Sequence, residues 1–181
     1  HKWRRCAPES VTTILVICTG NAARSVMAGA ALLDREPTLS IITAGTFSVD
    51  GQPISWRTRE AMRRVELEAR HHRSKQITAE HVEAADLILA MAPEHVNWIR
   101  REFPTARDRT ATLKRLARDL ALDGPLSARL VALDLGGVTI EDWEEIVDPG
   151  GGEVEDFISC AVEVVELVDE VIDRLRPSPG R

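Results

Sequence analysis

Apolar residues follow two rhythms along the chain. Short continuous runs at 13–18, 39–43 and 87–91, with a weaker one at 109–113, predict strands buried on both faces. Longer stretches at about 25–35, 55–67, 79–85, 93–103 and 153–175 repeat apolar residues every three or four positions and predict helices. The last is the clearest: Val154, Phe157, Ile158, Ala161, Val165, Val168, Ile172 and Leu175 share one face, leaving Glu153, Glu155, Asp156, Glu163 and Glu166 largely to solvent. That helix is expected to pack on the sheet, with Pro177-Ser178-Pro179-Gly180 ending it. Strands alternating with helices make a parallel α/β arrangement the simplest reading.

The first strand-to-helix junction carries chemistry. In Cys18-Thr19-Gly20-Asn21-Ala22-Ala23-Arg24-Ser25 a cysteine ends the strand and an arginine follows six positions later. This spacing suits one tight loop whose successive N–H groups point inward at a helix N-terminus, forming an anion nest. Gly20 and Asn21 are the residue types that enter positive φ most readily. Arg24 adds a planar fork for two oxygens of a tetrahedral anion. The same field suits a cysteine nucleophile at Cys18. Ser25 either stabilises that sulfur or serves only the helix start. In open α/β sheets, ligands bind beyond the C-terminal ends of strands, so fold and motif point to one place.

A second feature is Asp148-Pro149-Gly150-Gly151-Gly152. Proline biases Asp148 to an extended conformation and the glycines let the loop move, which suits a proton donor; the same residues also make an ordinary turn before the last helix.

Residues 18–25 resemble the phosphate-binding signature of the low-molecular-weight protein-tyrosine phosphatases, a family that includes bacterial protein-arginine phosphatases and arsenate reductases. The resemblance continues, in the family's order, through Thr43-Ala44-Gly45-Thr46, Gly51-Gln52-Pro53, His72-Arg73-Ser74-Lys75-Gln76-Ile77-Thr78, Asp86-Leu87-Ile88-Leu89-Ala90-Met91 and Asp148-Pro149. It implies a three-layer α/β sandwich with a central, mainly four-stranded parallel sheet flanked by helices. It also implies a two-step displacement. Cys18 attacks phosphorus, Thr19, Gly20, Asn21, Ala22, Ala23 and Arg24 cradle the phosphoryl oxygens, and Asp148 protonates the departing oxygen or nitrogen. Ionised Asp148 then draws a proton from the water that hydrolyses the cysteinyl-phosphate, with Ser25 steadying the thiolate as it leaves. Asn21 holds the loop in shape rather than touching substrate. No metal and no cofactor are implied.

Departures from the family pattern bear on the substrate. Ala23 stands where many members carry a second, protecting cysteine, and Val26 replaces a common proline. Gly150 replaces the aromatic residue that usually follows Asp-Pro, and Ala22 is neither the larger apolar residue of tyrosine-directed members nor the threonine of arginine-directed ones. Cys18-Thr19-Gly20-Asn21, Leu89-Ala90-Met91 followed by His95, and Thr112-Leu113-Lys114 resemble the arginine phosphatases, which keeps phosphoarginine beside phosphotyrosine as substrate. Phe47, Trp56 and Trp143 are candidates for a compensating pocket wall. One catalytic domain is expected over 11–176, with tails at 1–10 and 177–181 and a helical surface insertion at about 114–146 beside the Asp148 loop.

Composition narrows the class. With 181 residues, 44% of them hydrophobic, the chain is long enough for one domain with a core. The formal charge of −6 argues against a nucleic-acid partner and makes any attraction of phosphate local. Cys6, Cys18 and Cys160 are too scattered for a disulfide framework, and with no signal-peptide pattern or membrane-length apolar run a cytoplasmic enzyme is expected. His71, His72, His81 and His95 read as solvated surface rather than as ligands. The expected partners are a phosphorylated protein or small phosphomonoester, with inorganic phosphate or another oxyanion as product or inhibitor. Two other readings remain open. One is an arsenate reductase using a small thiol, since no cysteine lies between Cys18 and Cys160 for the thioredoxin-coupled route. The other is a noncatalytic phosphate-binding module.

Overall fold

Strand β1 (Thr13–Cys18) pairs in parallel with β2 (Ser40–Gly45) on one side and β3 (Leu87–Ala90) on the other. β4 (Thr110–Thr112) extends β3, giving the order β2-β1-β3-β4 in the computed structural model, which describes residues 8–69 and 71–176. Of the tails expected at 1–10 and 177–181, residues 1–7 and 177–181 lie outside the described residues.

Because side chains alternate across a strand, the central strand feeds two cores. Ile14, Val16 and Cys18 join the core built with α1 (Arg24–Arg35), α2 (Trp56–Arg64), α5 (Leu113–Asp119), α6 (Leu126–Val131) and α7 (Val154–Leu175). Leu15 and Ile17 join the core under α3 (Ala79–Ala84) and α4 (Pro93–Glu102). The result is a three-layer α/β sandwich, as the family resemblance implies. Helix α7 buries Phe157, Cys160, Ala161, Val164, Val168, Val171 and Ile172 and packs on α1, α2 and α5. Among the described residues no helix is long and apolar enough to cross a membrane.

Three elements depart from the sequence reading. β2 runs two residues past the expected 39–43, because Ala44 and Gly45 continue the ladder opposite Ile17 and Cys18. Small residues at a strand end carry no hydrophobic signal, yet here they bring the backbone against the anion loop. The 114–146 stretch is not a surface insertion: Leu116, Leu120, Leu126, Leu130, Leu135 and Ile146 are all buried in the main core. Its periodicity is too short and interrupted to reveal that in sequence.

Helix α2 stops at Arg64 instead of near 67, and the cause is a C-terminal motif. Glu66 takes φ 60°, its N–H donates to Arg63 O at 3.0 Å, and Leu67 N–H returns to Met62 O at 2.8 Å. Leu67 and Met62 are both buried, completing the hydrophobic contact that accompanies such a cap. An L-residue at this left-handed position is strained where glycine is not. Replacing Glu66 with glycine is therefore expected to stabilise the protein by about 0.5–1 kcal/mol, read as a higher urea midpoint at constant slope; an unchanged or lower midpoint contradicts the strain.

Candidate active site

Cys18 closes β1 and Arg24 opens α1, so residues 19–23 form the turn between them. Every carbonyl of this turn is drawn outward by a neighbouring element. Cys18 O accepts from Thr46 N–H at 2.9 Å and Thr19 O from Phe47 N–H at 2.9 Å. Gly20 O accepts from the Ser48 hydroxyl at 2.9 Å, Asn21 O from His72 Nε2 at 2.8 Å, and Ala22 O from the Thr58 hydroxyl at 3.2 Å. Ala23 O starts the helical ladder, accepting from Met27 N–H at 2.9 Å. No peptide among the described residues is cis, and in a trans peptide the C=O and the following N–H point in opposite directions. With their carbonyls outside, the N–H groups of residues 19–24 face the inside of the bowl. Helix α1 has no side-chain cap and no acidic residue in its first turn, so its positive end adds to the same field.

Asn21 fixes the bend. It alone in the loop has positive φ, 53°, and it is fully buried. Its Oδ1 accepts from Lys75 N–H at 3.1 Å and its Nδ2 donates to Ser25 Oγ at 2.9 Å. Gly20, expected to share the left-handed geometry, does not, so the asparagine carries the turn by itself. Gly45 is needed for a different reason: a Cβ there would run into Thr19 O and lie 3.0 Å from Asn21 N.

The sulfur lies at the base of the bowl. Cys18 is 3% exposed, with Sγ 3.0 Å from Ser25 Oγ. Once the sulfur is ionised only the hydroxyl can donate, so the chain from Asn21 Nδ2 through Ser25 to Sγ directs its protons at the sulfur. Arg24, also buried, donates from Nη1 to Ile146 O at 3.0 Å and holds Nη2 3.4 Å from Asp148 Oδ2. Asp148 Oδ1 accepts from Gly150 N–H at 2.9 Å, and the carboxylate is more than half exposed. Beside it, a cleft of about 420 Å³ is lined by Val147, Asp148, Pro149, Gly150, Gly152, Asp156, Ser159, Cys160 and Glu163. Cys160 is no second nucleophile: burial pushes its thiol up to about 12.

Of the three aromatic candidates, two stand next to the loop. Phe47 bonds Thr19 through its backbone and leaves its ring 86% exposed; Trp56 precedes Thr58 by two residues, is 57% exposed, and has the Arg57 guanidinium 4.8 Å from its ring. Trp143 belongs elsewhere. The Arg118 guanidinium lies 3.6 Å over its ring and its Nε1 donates to Glu141 at 2.9 Å, which commits it to α5.

Two histidines read as solvent-exposed in sequence are part of the site. His72 is half-buried and supports the loop through Asn21 O. His95, in the first turn of α4, is fully buried with Nε2 3.0 Å from Thr19 Oγ1, while no partner among the described residues reaches its Nδ1. Burial first, and then the Arg24 charge, push it down to about 3, so it is neutral. Neither could be found from spacing: His72 lies in an irregular loop, and His95 meets Thr19 only through the fold.

Comparison with known proteins places this geometry in context. The family described as low molecular weight phosphotyrosine protein phosphatase matches residues 13–125. A protein-arginine-phosphatase of Geobacillus stearothermophilus is 32% identical over 164 residues, covering 90% of this chain and 95% of that protein. A probable low molecular weight protein-tyrosine-phosphatase, EpsP, of Ralstonia solanacearum is 32% identical over 126 residues, covering 68% of this chain and 85% of its own. Among solved structures, the YwlE arginine phosphatase from Geobacillus stearothermophilus aligns with a TM-score of 0.73 at 32% identity, over 91% of this chain and 92% of that one.

The burial of neutral His95 has a consequence for stability. Its folded pKa lies below the ~6.5 of an unfolded chain, so the unfolded state takes up the proton first, and stability is present above that pH and lost as pH falls towards 3. His95→Gln is expected to remove this dependence: the stability gap between wild type and variant should narrow by about 1 kcal/mol per pH unit between roughly pH 6 and pH 4. Urea unfolding at several pH values measures it, and a constant gap contradicts the neutral, buried imidazole.

Proposed function

This chain belongs to the low molecular weight phosphotyrosine protein phosphatase family, and from that premise we propose that it hydrolyses phosphorylated protein side chains at Cys18 through a cysteinyl-phosphate. The observation that carries the reading is the bowl itself: N–H groups of residues 19–24 turned inward above a sulfur with a hydroxyl 3.0 Å away. A tetrahedral dianion there meets N–H donors, the Arg24 fork and the end of α1 at once.

In the proposed reaction Cys18 forms the S–P bond as the bond from phosphorus to the leaving oxygen or nitrogen breaks, and Asp148 gives its proton to the leaving atom. A water molecule, its proton taken by ionised Asp148, then attacks phosphorus and releases phosphate and thiolate. Arg24 and the N–H groups of Thr19, Gly20, Asn21, Ala22 and Ala23 stabilise the equatorial oxygens throughout. Ser25 holds the thiolate, and Phe47 and Trp56 wall the mouth. Arsenate reduction is not favoured, since the relatives are phosphatases. A cytoplasmic setting forms part of the proposal, because a thiolate without a protecting neighbour at Ala23 needs reducing surroundings.

Of the two phosphorylated side chains, phosphoarginine has the better support. Gly150 leaves no aromatic ring after Asp148-Pro149, and the adjoining cleft carries Asp148, Asp156 and Glu163, the last paired with Lys114 Nζ at 3.7 Å, a net acidic lining suited to a guanidinium leaving group. The arginine-phosphatase relative also matches across 95% of its own length.

Purified protein should release phosphate from an aryl phosphate in the presence of a chelator. Cys18→Ser should abolish turnover, and Asp148→Asn should lower kcat by about 10²-fold or more with poor leaving groups and far less with good ones. Phosphoarginine and phosphotyrosine peptides compared side by side decide the substrate, with the higher kcat/KM expected for phosphoarginine. Activity surviving Cys18→Ser excludes the mechanism.

A further inference from the structure

Between α6 and α7 the chain forms no helix or strand, only turns and the short 3-10 segment Asp142–Glu144. Yet this irregular stretch delivers both groups that meet Arg24, the Ile146 carbonyl and the Asp148 carboxylate. Something must fix it to better than an ångström, since catalytic groups lose effect steeply with misplacement.

The fixing point is a charged pair in the core that the reaction does not use. Glu144 is fully buried, and its carboxylate accepts from Arg115 Nε at 2.9 Å, Arg115 Nη2 at 2.8 Å, the Thr112 hydroxyl at 2.8 Å and Glu141 N–H at 2.7 Å. Arg115 also donates from Nη2 to Thr139 O at 3.1 Å, so one guanidinium binds the segment at both 139 and 144. Two residues after Glu144, Ile146 buries its side chain and donates its N–H to Met91 O at 2.8 Å, while its carbonyl receives Arg24. Buried ion pairs are seldom more stabilising than apolar pairs of the same volume, but they are directional. A four-bond carboxylate admits one register of its loop, where an apolar side chain would accept several.

We propose that the Arg115–Glu144 pair is a positioning device, clamping the 139–148 segment so that Asp148 stands at the leaving group, while Ile146, anchored separately on Met91 O, keeps Arg24 aimed. This rests on the reading of Asp148 as proton donor. Glu144 and Arg115 are positioning residues and touch no substrate; their effect passes through Asp148.

The test is a cycle of Glu144→Gln and Asp148→Asn in the full chain, assayed with aryl and alkyl phosphates of graded leaving-group ability. Glu144→Gln is expected to lower kcat about tenfold with poor leaving groups and much less with good ones, with little change in KM. In the double variant the two losses should combine to far less than their product, because both act on one proton transfer. Equal loss across all leaving groups, full multiplication of the effects, or unchanged kcat overturns the proposal. Should Glu144→Gln not fold, Thr112→Val removes one of the four bonds, together with the hydroxyl's cap on Arg115 N–H at 3.0 Å, and keeps the charges; a smaller loss with the same leaving-group dependence supports the clamp, and its absence overturns it. Wild-type protein without phosphatase activity would instead remove the underlying reading, whereas active wild type with an unaffected Glu144→Gln rejects the clamp alone.

Discussion

The outward turn of each carbonyl from Cys18 to Ala23 is the constraint on which this structure depends. A loop of inward N–H groups repels itself, and an unbound bowl gains nothing from being open; the outer hydrogen bonds hold it so. They come from Thr46, Phe47 and Ser48 after β2, from His72, and from Thr58 in α2. Much of the fold's work is thus to bring three distant segments around one turn. Gly45 makes this possible, since any side chain there would strike the loop backbone.

The electrostatics follow from the same geometry. A chain of net charge −6 repels a phosphate dianion at long range, so binding must come from short-range donors within a few ångströms. Arg24 is the buried cation of the site, and the neighbouring imidazole of His95 stays neutral. A second charge there would have to be desolvated beside Arg24. The positive field is therefore concentrated on one guanidinium and a ring of dipoles, with His95 acting on Thr19 by hydrogen bonding alone.

What could be read in sequence was local. The apolar run ending at Cys18, the six-residue step to Arg24 and the long face of α7 each declare themselves within a single element. The remainder depends on contacts between elements. His95 looks like any polar residue in a helix's first turn until α4 lies beside Thr19, and Trp143 looks like a pocket wall until Arg118 stacks on it. Helix α2 ends early because Glu66 enters the left-handed region, a position where sequence leads one to look for glycine or asparagine. The 114–146 stretch carries no sustained period, because two short helices and irregular turns bury its leucines piecemeal.

Arg24 ties the two parts of the molecule together. The loop that bears it is built within residues 13–125, matched by the family as a whole, while its bonding partners Ile146 and Asp148 lie beyond that range. The two contacts differ in kind. The bond to Ile146 O is buried and 3.0 Å long, whereas the approach to Asp148 is 3.4 Å with a carboxylate more than half exposed, where ion pairs are worth about 1 kcal/mol or less. An anion entering the bowl can displace Asp148 from the guanidinium at small cost while the carbonyl keeps the fork aimed. Under the proposed mechanism that displacement would turn Asp148 from the guanidinium to the leaving group, so that substrate binding and placement of the proposed acid would be one event.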